Sequence, residues 1–175
     1  MIFELGGKNL AKSLYEVKGE FVSNQRVYRM HHLPLYDKLR KNPRRLPGII
    51  RDVLHALAAL SDQGIVHGDL KTENLLIDES INTKVIDFGS AHFFAEEGSV
   101  SATTPEYMPP EALKPNAQIQ DLAARSHPWS WDIWALGIII LEIAMGFPVW
   151  FSLNTVGNIK GALGVGARDP SRIRA

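Results

Sequence analysis

The chain has 175 residues, of which 45% are apolar and 22% charged, a composition that argues against disorder and gives room for one core. Its 19 basic and 19 acidic residues cancel to zero formal charge, so no global excess exists to hold nucleic acid or an anionic membrane, and neither partner is expected. Cysteine is absent, which excludes disulfides, thiolate metal sites and cysteine nucleophiles. The opening Met1-Ile2-Phe3-Glu4-Leu5 lacks the basic-then-apolar order of a secretory signal, and an intracellular setting, cytoplasmic or nuclear, is expected.

Residues 1 to 5 read as the end of a strand, followed by a Gly6-Gly7 turn and a short helix from about Lys8 to Val17. Gly19 to Pro47 is polar, basic and broken by proline, which predicts loops with a short strand at about Arg26 to Met30. Within it His31-His32 reads as a surface pair, and Arg40, Lys41, Arg44 and Arg45 as a solvated basic turn. From Gly48 the pattern sharpens: Ile50, Val53, Leu54, Leu57 and Leu60 recur at helical spacing, with Pro47 near the start and Gly64 past the end, so an amphipathic helix is predicted.

After Gly64 the period changes to short β-prone runs at Ile65-Val66, Leu75-Leu76-Ile77 and Lys84-Val85-Ile86, with a turn over Asp78 to Asn82. The apolar stretch from Ile133 to Val149 is too short for the roughly 20 residues of a membrane span. It carries Glu142 and is broken by Gly146 and Pro148, so a buried helix from about Trp131 to Met145 is predicted instead. Trp129, Trp131, Trp134 and Trp150 are expected as core and helix-flanking anchors.

The chemistry concentrates between two of the short strands. The loop reads His67-Gly68-Asp69-Leu70-Lys71-Thr72-Glu73-Asn74, and Asp87-Phe88-Gly89 begins 13 residues after Asn74. Phosphoryl transfer needs a carboxylate to orient the attacking hydroxyl, a cation to offset charge on the transferring group, and hard oxygen ligands for Mg²⁺. Asp69, Lys71, and Asn74 with Asp87 are of the types required.

These motifs resemble those of the eukaryotic protein-kinase family, whose catalytic loop is H-R-D-x-K-x-x-N and whose metal-binding turn is D-F-G. The resemblance implies that Asp69 is the catalytic base, that Lys71 stabilises the γ-phosphate, and that Asn74 and Asp87 bind Mg²⁺. His67, Phe88 and Gly89 would hold the loop and turn. Thr104-Pro105-Glu106-Tyr107-Met108-Pro109-Pro110-Glu111 is similar to the substrate-docking loop and A-P-E element, with Thr104 in the substrate loop and Glu111 structural. Asp132-Ile133-Trp134-Ala135-Leu136-Gly137 resembles the start of the central buried helix, whose Asp anchors the catalytic-loop backbone. Ile2-Phe3-Glu4-Leu5 resembles the hinge, where Glu4 and Leu5 would bind the adenine of ATP through their backbone.

The resemblance therefore implies a mainly α (α+β) fold: a kinase-like C-lobe with short β-hairpins around the catalytic loop. Residues 1–150 would form a partial kinase domain and 151–175 a divergent tail. The implied activity is ATP- and Mg²⁺-dependent phosphorylation of a protein. Lys71 and Thr104 match the pattern of Ser/Thr kinases, with Ser or Thr as the acceptor.

Two departures stand against the pattern. Gly68 replaces the Arg of H-R-D, which in the family pairs with a phosphate on the activation segment; activity independent of phosphorylation at Ser99, Ser101 and Thr103 is the expectation. His-Gly-Asp also occurs in small-molecule phosphotransferases of kinase-like fold, from which Lys71, Phe88-Gly89 and the Thr104 to Glu111 element distinguish this chain. The second departure is that no Gly-rich loop or strand Lys precedes the hinge in these residues, so little turnover by the 175 residues alone is expected. A non-catalytic interaction module is the remaining alternative, at odds with the retained Asp69, Lys71, Asn74 and Asp87.

Overall fold

The computed structural model describes residues 7–23, 25–93, 104–110 and 129–148. In chain order these form β1 (Lys8–Asn9), α1 (Ala11–Leu14), β2 (Tyr15–Val22), β3 (Gln25–His32), α2 (Pro34–Lys41), a 3-10 turn (Pro43–Arg45) and α3 (Leu46–Asp62). There follow β4 (Ile65–Val66), a 3-10 turn (Thr72–Asn74), β5 (Leu75–Ile77), β6 (Thr83–Val85), β7 (His92–Phe93), a 3-10 turn (Pro105–Tyr107) and α4 (Ser130–Met145). The hinge residues Glu4 and Leu5, together with Ser99, Ser101, Thr103, Glu111 and Trp150, lie outside the described residues.

The amphipathic helix is present as α3, starting slightly earlier than its spacing suggested, with Pro47 in its first turn where the missing N–H costs nothing. Ile49, Val53 and Leu57 form its buried stripe, whereas Leu54 is 41% exposed, so the apolar face is narrower than the sequence implied. α4 ends at Gly146, whose φ of +73° provides the left-handed cap and whose N–H donates to the Glu142 carbonyl at 2.8 Å. Leu136, Ile139 and Ile143 of α4 enter the core with Leu10, Leu14, Leu70 and Leu75. The other side of α4 exposes Ile133, Trp134 and Leu141, so Trp134 is not a core anchor, whereas Trp129, 40% exposed, flanks the start of the helix. No helix among the described residues is long and apolar enough to cross a membrane.

Three small antiparallel sheets complete the frame: β1-β5-β6, β2-β3 and β4-β7. The pairing of β5 with β6, Leu75 opposite Val85, sets the His67–Asn74 loop beside the Asp87 turn. The β4-β7 pair, Val66 opposite His92, closes that turn from its other end.

The segment from Lys8 to His32 corrects the sequence reading. Only Ala11–Leu14 are helical, because Leu10 and Leu14 reach the core at helical spacing and the chain then turns extended at Tyr15. The strand expected at Arg26 to Met30 lies within β3, while the loop expected before it is β2, and the two form a regular hairpin paired from Tyr15 opposite His32 to Val22 opposite Gln25. The basic run ends α2 and fills the 3-10 turn after it, with Arg40, Lys41, Arg44 and Arg45 exposed. His31 and His32 are exposed, and the His32 ring stacks on Tyr36 at 4.0 Å.

Candidate active site

The start of the His67–Asn74 loop is held by one carboxylate. Asp132, buried in the first turn of α4, accepts the backbone N–H of His67 at 2.8 Å and that of Gly68 at 3.0 Å. Burial pushes its carboxyl above the ordinary range, and the two amides oppose that rise. His67, fully buried, accepts the Asp69 N–H at Nδ1 (3.3 Å) and stands 3.1 Å from the Ile86 carbonyl through Nε2. The neutral tautomer with its proton on Nε2 satisfies both contacts.

Asp69 sits at the centre of a closed ring. Its Oδ2 accepts Lys71 Nζ at 2.6 Å; its Oδ1 accepts the Thr104 hydroxyl at 2.6 Å and the Thr104 N–H at 3.1 Å. Lys71 Nζ also donates to Thr104 Oγ1 at 2.8 Å. Burial works to raise the Asp69 pKa, but the bonds from Lys71 and Thr104 outweigh it and leave the carboxyl below its ordinary value. Asn74 fixes the loop from the other side, its Nδ2 donating to the Asp69 carbonyl at 2.8 Å.

The Asn74 carbonyl accepts the Ile86 N–H at 2.9 Å, which brings Asp87 next to the loop. Asp87 is exposed, has a φ of +64° and accepts the Gly89 N–H at 3.3 Å. A non-glycine residue in the left-handed region is strained, and such residues cluster at functional sites. Phe88 is 51% exposed, with its ring tilted 5.3 Å from that of His67; it touches the loop on one face only. Asp69, Gly68, Thr104, Pro109 and Trp131 line an open pocket above α4.

The sequence-predicted residues His67, Asp69, Lys71, Asn74, Asp87, Phe88, Gly89, Thr104 and Asp132 thus fall around one loop. The donor chemistry fits Mg²⁺, which binds through one or two protein oxygens while keeping water and phosphate ligands: Asp87 offers an exposed carboxylate and Asn74 an amide oxygen. Among the described residues no group of three His, Asp or Glu is placed to hold a metal unaided.

Sequence reasoning passed over a second cluster, in which the hydroxyls of Tyr15, Thr72 and Tyr107 surround the carboxylate of Glu142. One signal for it existed: a single charge within the apolar stretch of α4 must find partners if the helix is buried.

Comparison with known proteins accords with this geometry. The family model of the protein kinase domain matches residues 12–163. The chain is 35% identical over 106 residues to the human cAMP-dependent protein kinase catalytic subunit PRKX, covering 61% of this chain and 27% of that protein. It is 36% identical over 104 residues to the cAMP-dependent protein kinase catalytic subunit of Dictyostelium discoideum, covering 59% and 15%. To the Arabidopsis thaliana mitogen-activated protein kinase kinase kinase YODA it is 34% identical over 147 residues, covering 83% and 15%. The matched segments therefore span less than a third of those relatives' own lengths. With the anchored loop, the Asp69–Lys71–Thr104 ring and the Asp87 turn on one frame, and a family model matching most of its length, the chain belongs to the eukaryotic-type protein kinase family.

Proposed function

We propose that the protein transfers the γ-phosphoryl group of Mg-ATP to serine or threonine hydroxyls of a protein substrate. The observation that supports this best is the ring around Asp69: a carboxylate depressed in pKa, held by a lysine and a threonine at the mouth of an open pocket. In this reading Asp69 orients the acceptor hydroxyl and receives its proton, and Lys71 offsets charge on the transferring group while keeping the loop closed on Thr104. When bound, Mg²⁺ would supply neutralisation of the phosphates, with Asn74 and Asp87 as its protein ligands.

The Ser/Thr assignment rests on Lys71 bridging Asp69 and Thr104, a bridge whose members are those of the Ser/Thr pattern. Glu4 and Leu5 remain the proposed adenine-binding residues and Glu111 a structural one, all three on the resemblance alone. Residues 1–150 as the kinase domain, 151–175 as a tail and an intracellular site of action are part of the same reading.

Phosphotransfer from Mg-ATP to serine, threonine and tyrosine peptides by the full-length protein tests this. Turnover on the first two, reduced at least about a thousandfold by Asp69→Asn, is the expected result. Equal turnover in the Asp69→Asn variant would remove Asp69 from its role. Phosphorylation of a small-molecule acceptor in place of peptides would replace the protein-kinase reading by the phosphotransferase one.

A further inference from the structure

Glu142 is 1% exposed, and the ion pairs among the described residues do not include it. Its Oε1 accepts the Tyr15 phenol and, at 3.1 Å, the Thr72 hydroxyl; its Oε2 accepts the Tyr107 phenol at 2.6 Å. Thr72 Oγ1 also stands 3.1 Å from the Tyr107 oxygen. A buried carboxylate whose partners among the described residues are all hydroxyls depends on every donor, because losing one leaves charge without compensation. Side chains tied this way share one arrangement.

The three hydroxyls hang on three different segments. Thr72 opens the 3-10 turn that ends in Asn74, whose side chain holds the Asp69 carbonyl. Tyr107 closes the 3-10 turn that follows Thr104, which holds Asp69 Oδ1. Tyr15 is the first residue of β2, the root of a hairpin on which Glu20, Phe21 and Ser23 are exposed, Phe21 to 78%. Two of the ties on Asp69, those of Asn74 and Thr104, therefore sit on turns that run back to Glu142, and the third hydroxyl runs to the hairpin.

We propose that Tyr15 is a positioning residue for phosphoryl transfer: by fixing Glu142 it sets the two turns that hold Asp69, and it couples the β2–β3 hairpin to them. The role in transfer rests on the kinase reading above; the mechanical coupling does not. Amide hydrogen exchange by NMR on the full chain, native and Tyr15→Phe, measures the coupling directly. Exchange at Asn74, Tyr107 and Met108, amides bonded within the two 3-10 turns, should quicken at least about tenfold, while the amides of Val53 to Leu57 stay unchanged.

Acceleration confined to residues 14–33, a uniform rise across the core, or no change would each overturn the proposal. Tyr107→Phe is the reciprocal variant should Tyr15→Phe fail to fold: it should quicken exchange at Leu33, whose N–H bonds the Leu14 carbonyl at the hairpin root. In the full-length protein Tyr15→Phe should lower kcat several-fold with KM for ATP unchanged, and an unchanged kcat would overturn the positioning role. Absence of phosphotransfer by the native protein would sink the kinase reading while leaving the exchange result standing.

Discussion

A side chain at residue 68 would begin 2.7 Å from the carbonyl oxygen of Ser90, and Gly68 itself has a φ of +80°. The glycine lets the catalytic loop close onto the turn that follows Asp87. Gly68→Ala should therefore cost more than the ~1–2 kcal/mol of a left-handed backbone alone. Gly64→Ala is the control, since Gly64 has a φ of +70° but a methyl group there would meet nothing within 4 Å. Urea unfolding of both variants should show the larger loss at Gly68.

The same contact bears on regulation. No cationic side chain stands at residue 68 to receive a phosphate, and the loop is already closed against Ser90. Replacing Ser99, Ser101 and Thr103 together by Ala in the full-length protein should leave kinase activity within a few fold. Loss of activity to background in that assay would show that the segment needs phosphate after all.

Asp69 and Glu142 should push stability in opposite directions with pH. The Asp69 carboxyl lies below its ordinary value in the folded state, so its contribution is present above the unfolded value of about 4 and disappears as pH falls through the folded one. Burial raises Glu142, so stability declines from about pH 4 upward as that carboxyl ionises late. Denaturation curves across this range should show a shallower acid-side fall in Asp69→Asn and a shallower upward-pH decline in Glu142→Gln.

Asp132 holds two backbone amides with one side chain. Asp132→Ala would leave both without that acceptor in a buried place, costing about 1–3 kcal/mol for each. Asp132→Asn keeps one acceptor and should lose less. Chemical denaturation ranks the two, and equal losses would mean that burial rather than amide anchoring is the role of this residue.

Two glycines, one inside α4 and one capping it, should respond oppositely. A Cβ at Gly137 meets nothing within 4 Å, so Gly137→Ala should stabilise by about 0.5–1 kcal/mol through helix propensity. A Cβ at Gly146 would stand 2.4 Å from the Tyr36 ring at a φ of +73°, so Gly146→Ala should destabilise by about 2 kcal/mol or more. Thermal melts of the two variants should move in opposite directions.

What could be read from the sequence follows where burial imposes a pattern. α3 and α4 were legible because Val53, Leu57, Leu136 and Ile139 repeat at helical spacing and reach the core. The site was legible because Asp69, Lys71, Asn74 and Asp87 are polar groups at spacings set by a short loop and a strand pair. Of the β2–β3 hairpin the strand at Arg26 to Met30 was legible, but β2 was not, since Val17 at 38% and Phe21 at 78% exposure face water and set no buried alternation there. Leu10 and Leu14, both buried, imitate a longer helix than the four residues that form. The Tyr15–Glu142 bond joins residues 127 apart in sequence, a pairing that no local period encodes.

The hairpin leaves and rejoins the core through Leu14 and Leu33, joined by a backbone bond of 2.9 Å. To the rest of the fold this excursion is a closed detour, entered and left at one point. An arm of that kind can lengthen, shorten or change its surface over evolutionary time without altering the path of the chain on either side.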